Sequence, residues 1–590
     1  MTRIFRNPRG ILYLSVLAIL LSAMACGTAA DPTAAPGAGD TAQPTTAAAS
    51  GQPTATPASS TAPESPITST EHGTVTVLVG GLGNERILPR YCNGECNTFG
   101  RLLHGYFATT TDQGGVIPSA MESWRVESGG TVWVFKLRQG AKFHDGSDVT
   151  IQDVLFSSER SVSLDEFPGA ATPTQTVEGR QIVKHEITGP DEMTITFTQP
   201  YAGAAVWRSD GHAGNTRMNI LPAKLLGEPY DVSEPAYEKS PIGAGPMMMV
   251  SRKPAESMSF ERFEDYYYQP AYDAPEDRRP RFQFLELQLV PELSTRVSAL
   301  RAGNSDLIEA AEAVAEQIRG SGGRIIYARE SSYAALMLPG CWIEEVRCHD
   351  KRVVEALDLA IDRQVIADTL YTPESYSPGG WGFVTPSSLG FSPELKAPDF
   401  DPERARELMI EAGYQVPGHS EGKEFGTFEI NAWDAGDFPF VPDMAQLIVE
   451  SWQTELGIDA RVVLTDRTLI TQRWRSRELD DHIRFEVNEA RWDGTTILQS
   501  RYNDPENSQR LSQDPVVLEF ANAGLRVVDQ ESRDATINSV YLRLQEGYHH
   551  NFLPLGYANL PWGASERIVE WKPWSAAAFF NSHWTIRLAE

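Results

Sequence analysis

The chain has 590 residues, with 79 acidic residues against 51 basic ones and a formal net charge of −28 at pH 7. Such a negative field repels phosphate backbones and argues against a nucleic acid partner. Cationic or zwitterionic small ligands are compatible with it, although a role in solubility alone would also explain the charge.

The amino terminus has the pattern of an export signal. Residues 1–25 combine a basic start with an apolar run from Ile11 to Leu21, which is shorter than the roughly 20 residues of a membrane-spanning helix. The following LSAMACG resembles a bacterial lipobox, and this resemblance implies that Cys26 becomes the lipid-modified amino terminus. An incidental signal-peptide cysteine is the alternative.

A low-complexity segment follows. Residues 26–73 are almost entirely Ala, Thr, Pro, Gly and Ser, and so they contain too few apolar side chains to fold. We expect a disordered tether with a mean reach of roughly 40 Å. The sequence thus predicts an exported protein that is lipid-anchored to the outer face of the cell membrane or periplasmic.

The first strongly patterned stretch is TVWVFKLRQGAKFHDGSDVTIQDVLF, residues 131–156. Its alternating apolar residues predict a strand, Asp145-Gly146 predicts a turn, and Thr150 with Asp153 predicts a capping box at a helix start. This interpretation gives three of its polar residues scaffold roles and leaves His144 and Asp148 without an assigned partner.

Further helices are predicted along the chain. Asp350 to Ile366 has helical apolar spacing, and Asp401 to Tyr414 has a capping Asp, a Pro at the first helical position and a terminating Gly413. Residues 442–464 predict a helix that stops at Gly457 and leads into a strand. The alternation of strands and helices indicates an α/β fold.

Four cysteines remain besides Cys26, and outside the cytoplasm they favour two disulfides. We predict the pairs that are close in sequence, Cys92 with Cys96 and Cys341 with Cys348. A zinc half-site at the first pair is the alternative, but nothing nearby supplies its other half, so we predict no metal and no cofactor.

Several ordered stretches resemble one family, the extracytoplasmic solute-binding proteins of ABC importers, family 5, of peptide, nickel and oligopeptide type. They are AMESWRV with TVWVFKLRQGAKFHDGSDVTIQDVLFS, SPIGAGPMMMV with ERFEDYY, TRVSALRAGNSDLIEA, DKRVVEALDLAIDR, and DPERARELMIEAGY with LGIDARV. Together they span most of residues 74–590 in the expected order.

The resemblance implies a two-lobed, periplasmic-binding-protein-like class II clamshell with an additional domain on lobe I. Lobe I would comprise residues 74–106, 204–330 and 554–590, the additional domain 107–203, and lobe II 331–553. The implied function is the substrate-binding component of an ABC importer, which delivers a dipeptide or oligopeptide to membrane permease subunits. A monomer is expected, because no sequence resembles an oligomerising seam.

The resemblance also suggests ligand contacts in the interlobe cleft. FEVNEARWDGTTIL resembles the lobe II strand whose following loop carries a Trp and an acid that pairs with a peptide ammonium group, so the candidates are Trp492 and Asp493. Here the acid follows the Trp directly, and a turn-forming Asp-Gly is the alternative. Trp433, Asp434 and Tyr333 are secondary candidates, with ordinary packing as their alternative.

Other functions remain open from the sequence. Trp342, Trp381, Trp433, Trp492 and Trp562 are predicted in loops, where aromatic faces could stack on sugars, so an oligosaccharide is an alternative ligand, as is a metal chelate. An exported hydrolase is a further alternative. However, the chain has no GxSxG elbow, HExxH pair or phosphate loop, and we predict no enzyme.

Overall fold

The computed structural model describes residues 73–589, except 92–93, 112–114, 163–175, 178–179, 206–218, 228, 434–437, 439, 495–496, 504–509, 514, 528 and 576–578. Cys26, the signal and almost all of the tether therefore lie outside the described residues. Within these bounds no helix has the length and apolarity to cross a bilayer.

The described helices, in chain order, are α1 Asn97–Leu103, α2 Ile151–Val162, α3 Ala223–Leu226, α4 Tyr230–Lys239, α5 Leu293–Arg301, α6 Ala315–Arg319, α7 Lys351–Leu359, α8 Arg363–Leu370, α9 Pro402–Glu411, α10 Val441–Leu456, α11 Arg467–Arg475, α12 Pro515–Arg526 and α13 Gln530–Gln545. A π-helical turn spans Leu498–Asn503, and a short 3-10 helix at His583–Thr585 lies near the carboxyl terminus.

The described strands are β1 Thr74–Val79, β2 Gly105–Tyr106, β3 Ala108–Thr110, β4 Val116–Pro118, β5 Met121–Glu127, β6 Val132–Leu137, β7 Thr176–Val177, β8 Arg180–Ile187, β9 Glu192–Phe197, β10 Asn219–Ile220, β11 Met247–Lys253, β12 Ser257–Arg262, β13 Phe284–Leu289, β14 Leu307–Glu309, β15 Arg324–Met337, β16 Tyr376–Pro378, β17 Val384–Leu389, β18 Thr427–Ala432, β19 Asp459–Leu464, β20 Ile483–Glu489, β21 Arg491–Asp493, β22 Phe552–Ala564, β23 Ile568–Glu570 and β24 Arg587–Leu588.

The largest sheet of the described residues is a mixed sheet. Its strands run in the order β11, β12, β13, β1, β14, β22, β15, β20, β18, β19, with β16 paired to β22. β15 and β22 pair antiparallel from Arg324 opposite Ala564 to Met337 opposite Phe552, with the register interrupted between Ala328 and Ser332. The predicted α/β class is confirmed.

Buried side chains are distributed over distinct cores. The largest core takes Tyr333–Met337 from β15, residues of α7, α9 and α10, and, from β22, Phe552, Leu553, Leu555, Tyr557 and Ala558. A second core contains β1 and β13, together with Ala328 of β15 and Trp562 of β22. The two longest paired strands therefore run from one core into the other. The exact lobe boundaries stay a prediction.

A third core lies under a separate antiparallel sheet, ordered β5, β6, β9, β8, β7. In β6, Trp133 and Phe135 are buried as predicted, and their rings stack with centroids 6.0 Å apart. This core also includes Tyr266–Tyr268, which lie outside the segment 107–203 that the sequence suggested for the additional domain.

The strand, turn and capped helix predicted for residues 131–156 are confirmed. The Thr150 amide donates to the Asp153 carboxylate at 2.9 Å, and the Asp153 amide donates to the Thr150 hydroxyl at 3.3 Å. His144 accepts from the Gly243 amide through Nδ1 at 3.2 Å, while Nε2 lies 3.0 Å from the Gly245 carbonyl. His144 therefore joins the turn to a distant loop.

One helix boundary was wrong. The sequence predicted a continuous helix from Asp350 to Ile366, but α7 ends at Leu359 and α8 begins at Arg363. The Asp362 carboxylate accepts from the Val365 amide at 2.9 Å and so caps a new helix start. The helix predicted to start after Asp401 is confirmed as α9, and the helix predicted to stop at Gly457 is confirmed as α10.

Candidate functional site

Trp492, the first candidate, lies on β21 and contacts the carboxyl-terminal segment of the chain. Its side chain is 5% exposed, and its ring packs edge-to-face on Trp574 with centroids 4.9 Å apart. The indole Nε1 donates to the Ser575 carbonyl at 2.7 Å. Trp492 is thus held in one orientation by residues that are distant in sequence.

Asp493 already has a cationic neighbour in its own chain. Its carboxylate lies 3.1 Å from Nη2 of Arg533 on α13, and both side chains are almost fully buried. Arg533 also donates to the Ala202 carbonyl at 2.6 Å. A ligand ammonium group at Asp493 would therefore share the carboxylate with Arg533 or displace it.

Trp433 and Tyr333 lie in the largest core. Trp433 follows β18, is 5% exposed, and has the guanidinium groups of Arg467 and Arg484 at 5.2 and 5.5 Å from its ring. Tyr333 on β15 is 1% exposed and packs edge-to-face on Phe383 at 5.4 Å. Asp434 lies outside the described residues. A ligand role for each of these residues stays a prediction.

The structure shows a buried cluster of charged side chains that the sequence analysis missed. Arg484 and Glu486 lie two residues apart on β20, hence on one face of the sheet, and form an ion pair. Arg501 lies 3.6 Å from the same carboxylate, and both guanidinium groups lie over the ring of Trp474. Burial, then Arg501 and Arg467, lower the pKa of Arg484 to about 9.

A cavity opens next to the Trp492–Trp574 contact. Its volume is about 20 Å³, which is enough for about one or two water molecules. Aromatic and polar side chains line it, namely Arg101, Tyr106, Thr109, Ser119, Tyr266, Tyr268, Arg278, Trp574, Ser582, His583 and Trp584, together with Pro246. Trp574 belongs both to this wall and to the contact with Trp492.

Arg278 is the best-defined cation in the cavity wall. Its guanidinium lies 4.8 Å from the Tyr268 ring centroid and 4.7 Å from that of Trp584. Nε donates to Glu276 at 2.6 Å, and Nη1 donates to the Thr109 hydroxyl at 2.7 Å. The group is thereby fixed in position while its side chain is 6% exposed.

His583 lies in the same wall and is 3% exposed. Neither ring nitrogen has a hydrogen-bond partner among the described residues. Burial, followed by the charges of Arg101 and Arg278, lowers the pKa of His583 to about 3. The imidazole is therefore neutral near pH 7 and offers one donor and one acceptor.

The sequence matches a known family. The family model for bacterial extracellular solute-binding proteins, family 5 (Middle) matches residues 115–504. The chain belongs to this family. Its fold is accordingly that of a solute-binding protein, as the sequence resemblance implied, and the family is extracytoplasmic.

Known relatives are distant in sequence but align with most of the chain. "Di/tripeptide-binding protein 3" of Pseudomonas aeruginosa is 24% identical over 80% of this chain and 87% of its own length. "Heme-binding protein A" of Haemophilus influenzae is 24% identical over 61% of this chain, and the match spans just under two thirds of that relative, 64%. HbpA2 from Haemophilus parasuis superposes with a TM-score of 0.71 at 18% identity, covering 88% of this chain and all of that one.

The predicted disulfides of this family 5 protein have different outcomes. Cys341 and Cys348 are bonded, as predicted, with their Cα atoms 4.9 Å apart. Cys92 lies outside the described residues, so its pairing with Cys96 stays a prediction. Among the described residues, no group of three or more potential metal ligands is clustered.

Two of the tryptophans that the sequence placed in loops lie on strands instead, Trp562 on β22 and Trp492 on β21. Trp381 lies in a loop, as predicted, but is fully buried against Tyr541 and Phe552 in the largest core. Trp381 and Trp562 are therefore packing residues. The cavity residues Arg278 and His583 were missed, because Arg278 lies in an irregular segment and His583 begins a short 3-10 helix, and neither stretch carries a local motif.

Proposed function

We propose that the protein is the substrate-binding component of an ABC importer. It captures a small ligand, a dipeptide or oligopeptide, in a cleft between its lobes, closes around it by hinge motion, and delivers it to permease subunits in the membrane. It acts as a non-catalytic monomer, anchored at the outer face of the membrane through lipid on Cys26.

The observation that carries this proposal is the passage of β15 and β22 between the two largest cores. At the crossing, Glu330 has a positive φ of 52°, and its amide donates to the Asn559 side chain at 2.7 Å. Two paired strands that pass between the cores at one irregular point form a short hinge, because only the few backbone angles at that point must change when the lobes close. A ligand that touches both lobes would favour the closed state.

The relatives support a peptide as the ligand. The di/tripeptide-binding relative aligns over 80% of this chain, whereas the heme-binding relative aligns over 61%. Trp492 and Asp493 remain the candidate peptide contacts, with Trp433, Asp434 and Tyr333 as secondary ones. An oligosaccharide or a metal chelate is the alternative ligand.

The proposal predicts stabilisation without turnover. A bound peptide should raise the free energy of unfolding by about 2.7 kcal/mol at 100 times its Kd. We would screen dipeptides to pentapeptides, oligosaccharides and metal chelates by thermal shift and recover each stabilising ligand by mass spectrometry. Recovery of intact peptide supports the proposal, and stabilisation by a sugar or chelate alone would move the assignment to that ligand class. Hydrolysis of the ligand would contradict it.

The role of Asp493 has its own test within this screen. Asp493→Asn should weaken peptides with a free amino terminus more than their acetylated counterparts, because only the former carry an ammonium group. The ratio of the two affinities separates this effect from any loss of stability through Arg533. Equal weakening of both peptides would leave Asp493 as a structural partner of Arg533 only.

A further inference from the structure

The Arg533 side chain links the largest core to the third core. Arg533 lies on α13, and Ile537, one turn further along this helix, is buried in the largest core. Nη1 of Arg533 donates to the Ala202 carbonyl at 2.6 Å, and Ala202 directly follows Tyr201, a residue of the third core. Nη2 lies 3.1 Å from the Asp493 carboxylate. One buried guanidinium group therefore bonds to both sides of the molecule.

The Trp492 side chain links the largest core to the carboxyl-terminal segment. Its strand, β21, pairs with β17, and β17 contributes Val384 to the largest core. The Trp492 indole donates to the Ser575 carbonyl at 2.7 Å, and its ring packs on that of Trp574. The same carboxyl-terminal segment contributes Trp571 to the second core. Trp492 therefore joins elements that belong to different cores.

Both links consist only of groups of the protein itself. Each acceptor is a main-chain carbonyl oxygen, and the donors, Trp492 and Arg533, are both buried. The charged donor makes the stronger hydrogen bond, and the contact between the two tryptophan rings removes apolar area from water. Separating the two sides would break both hydrogen bonds and expose this area, so the links favour the state in which the cores are close together.

The Trp492 link begins next to the crossing of β15 and β22. The Ala490 amide donates to the Ser331 carbonyl at 3.1 Å, and Ser331 lies where the register of the two crossing strands is interrupted. Trp492 is only two residues beyond Ala490, so a rotation at the crossing changes the distance between its indole and the Ser575 carbonyl. A hydrogen bond is lost when its heavy atoms are more than about 3.5 Å apart, so a small rotation is enough to break this one.

We propose that Trp492 and Arg533 form a latch that holds the two lobes closed through contacts within the protein. The latch consists of the Trp492 bond to Ser575 with its ring contact, and of the Arg533 bond to Ala202, for which Asp493 positions the guanidinium group. These contacts need no ligand, so they stabilise the closed state in the free protein and set the fraction of molecules that are open to a ligand. This inference rests on the hinge motion of the proposed function.

Small-angle X-ray scattering of the ligand-free protein tests the latch. The protein is unfolded with its disulfides intact, washed free of bound ligand, refolded and checked by native mass spectrometry. Trp492→Phe keeps an aromatic ring and removes the donor. Arg533→Met combined with Asp493→Asn removes the second donor without leaving an unpaired buried carboxylate. Each of these latch variants should have a larger radius of gyration than the wild type, and all three substitutions together should give the largest increase.

Matched controls separate the latch from a general loosening of the fold. Trp452→Phe removes an indole that donates to the Leu357 carbonyl at 2.9 Å, and both of these residues lie in the largest core. Arg543→Met removes a guanidinium group from α13 at a position where the side chain is 55% exposed. Both controls should keep the wild-type radius of gyration. Thermal unfolding of each variant checks that it is folded.

The latch and the proposed function can fail separately. Equal radii of gyration for the wild type and the folded latch variants would overturn the latch and leave closure around a bound ligand intact. An equal increase in the two controls would also overturn it, because the expansion would not depend on these contacts. Expansion of the latch variants alone, in a protein that binds no peptide, sugar or chelate, would support the latch and contradict the proposed function.

Discussion

At the scale of single residues, burial sets the protonation of several histidines. His550 is 1% exposed, and its ring lies against Phe552 and Trp381 with centroids 4.6 and 5.7 Å away. Burial, then Lys351 and His549, lower its pKa to about 3. His104 and His144 have their pKa lowered to about 4, also chiefly by burial.

The lowered pKa values of these histidines predict that the protein becomes less stable as the pH falls. Because the folded-state pKa lies below the unfolded value of about 6.5, the unfolded chain binds more protons as pH falls from 6.5, so the free energy of unfolding decreases. His550 alone should account for about 2 kcal/mol between pH 7.5 and pH 5. His550→Phe should remove that part of the dependence in urea titrations at both pH values.

The control for this measurement is His419→Phe, at a partly exposed turn position, which should keep the wild-type difference between the two pH values. A full wild-type difference in His550→Phe would contradict a neutral buried His550.

Single residues also mark the limit of sequence reasoning at the site. Trp492 and Asp493 could be selected because they follow a predicted strand in the pattern of a family motif. Their partners, Trp574 and Arg533, lie far along the chain in segments without that pattern. Such pairings depend on how the whole fold brings segments together, which local spacing does not encode.

At the scale of elements, local signals were reliable where they were complete. Thr150 with Asp153, and Asp401 with Pro402, marked helix starts correctly because capping involves only neighbouring residues. The α7–α8 boundary was missed because apolar spacing continues through Ile361 while the Asp362 cap interrupts the helix. The spacing of apolar residues alone does not reveal a capping residue.

The Asp362 cap predicts a measurable contribution. Asp362→Ala should lower the free energy of unfolding by about 1 kcal/mol, because the Val365 amide loses its acceptor. Asp362→Asn and Asp362→Ser should retain most of the wild-type value, since both can cap a helix. Urea unfolding checks the series, and equal stability of the Ala and Asn variants would show that the cap contributes little.

At the scale of the whole molecule, the crossing of β15 and β22 controls how the two largest cores are joined. Asn559 is central to it, because its Oδ1 accepts from the Glu330 amide and its Nδ2 donates to the Glu374 carbonyl, both at 2.7 Å. The side chain is 4% exposed, so water does not readily replace these bonds.

Asn559→Ala should therefore loosen the crossing. Hydrogen exchange at the amides of residues 329–332 should become faster, and the free energy of unfolding should fall by about 1–3 kcal/mol. Asn522→Ala, which removes one amide hydrogen bond within α12, is the control and should leave exchange at those positions unchanged. Unaltered exchange at 329–332 in the Asn559 variant would show that the side chain does not hold the crossing.

The position of β22 also constrains the order in which the chain can fold. This strand lies between β14 and β15 in the sheet, yet it comes from the last 40 residues of the sequence. Until Phe552–Ala564 has been synthesised, β14 and β15 each lack a neighbour and the sheet has a gap at its centre. A nascent chain therefore cannot complete this sheet before nearly all of its sequence is available.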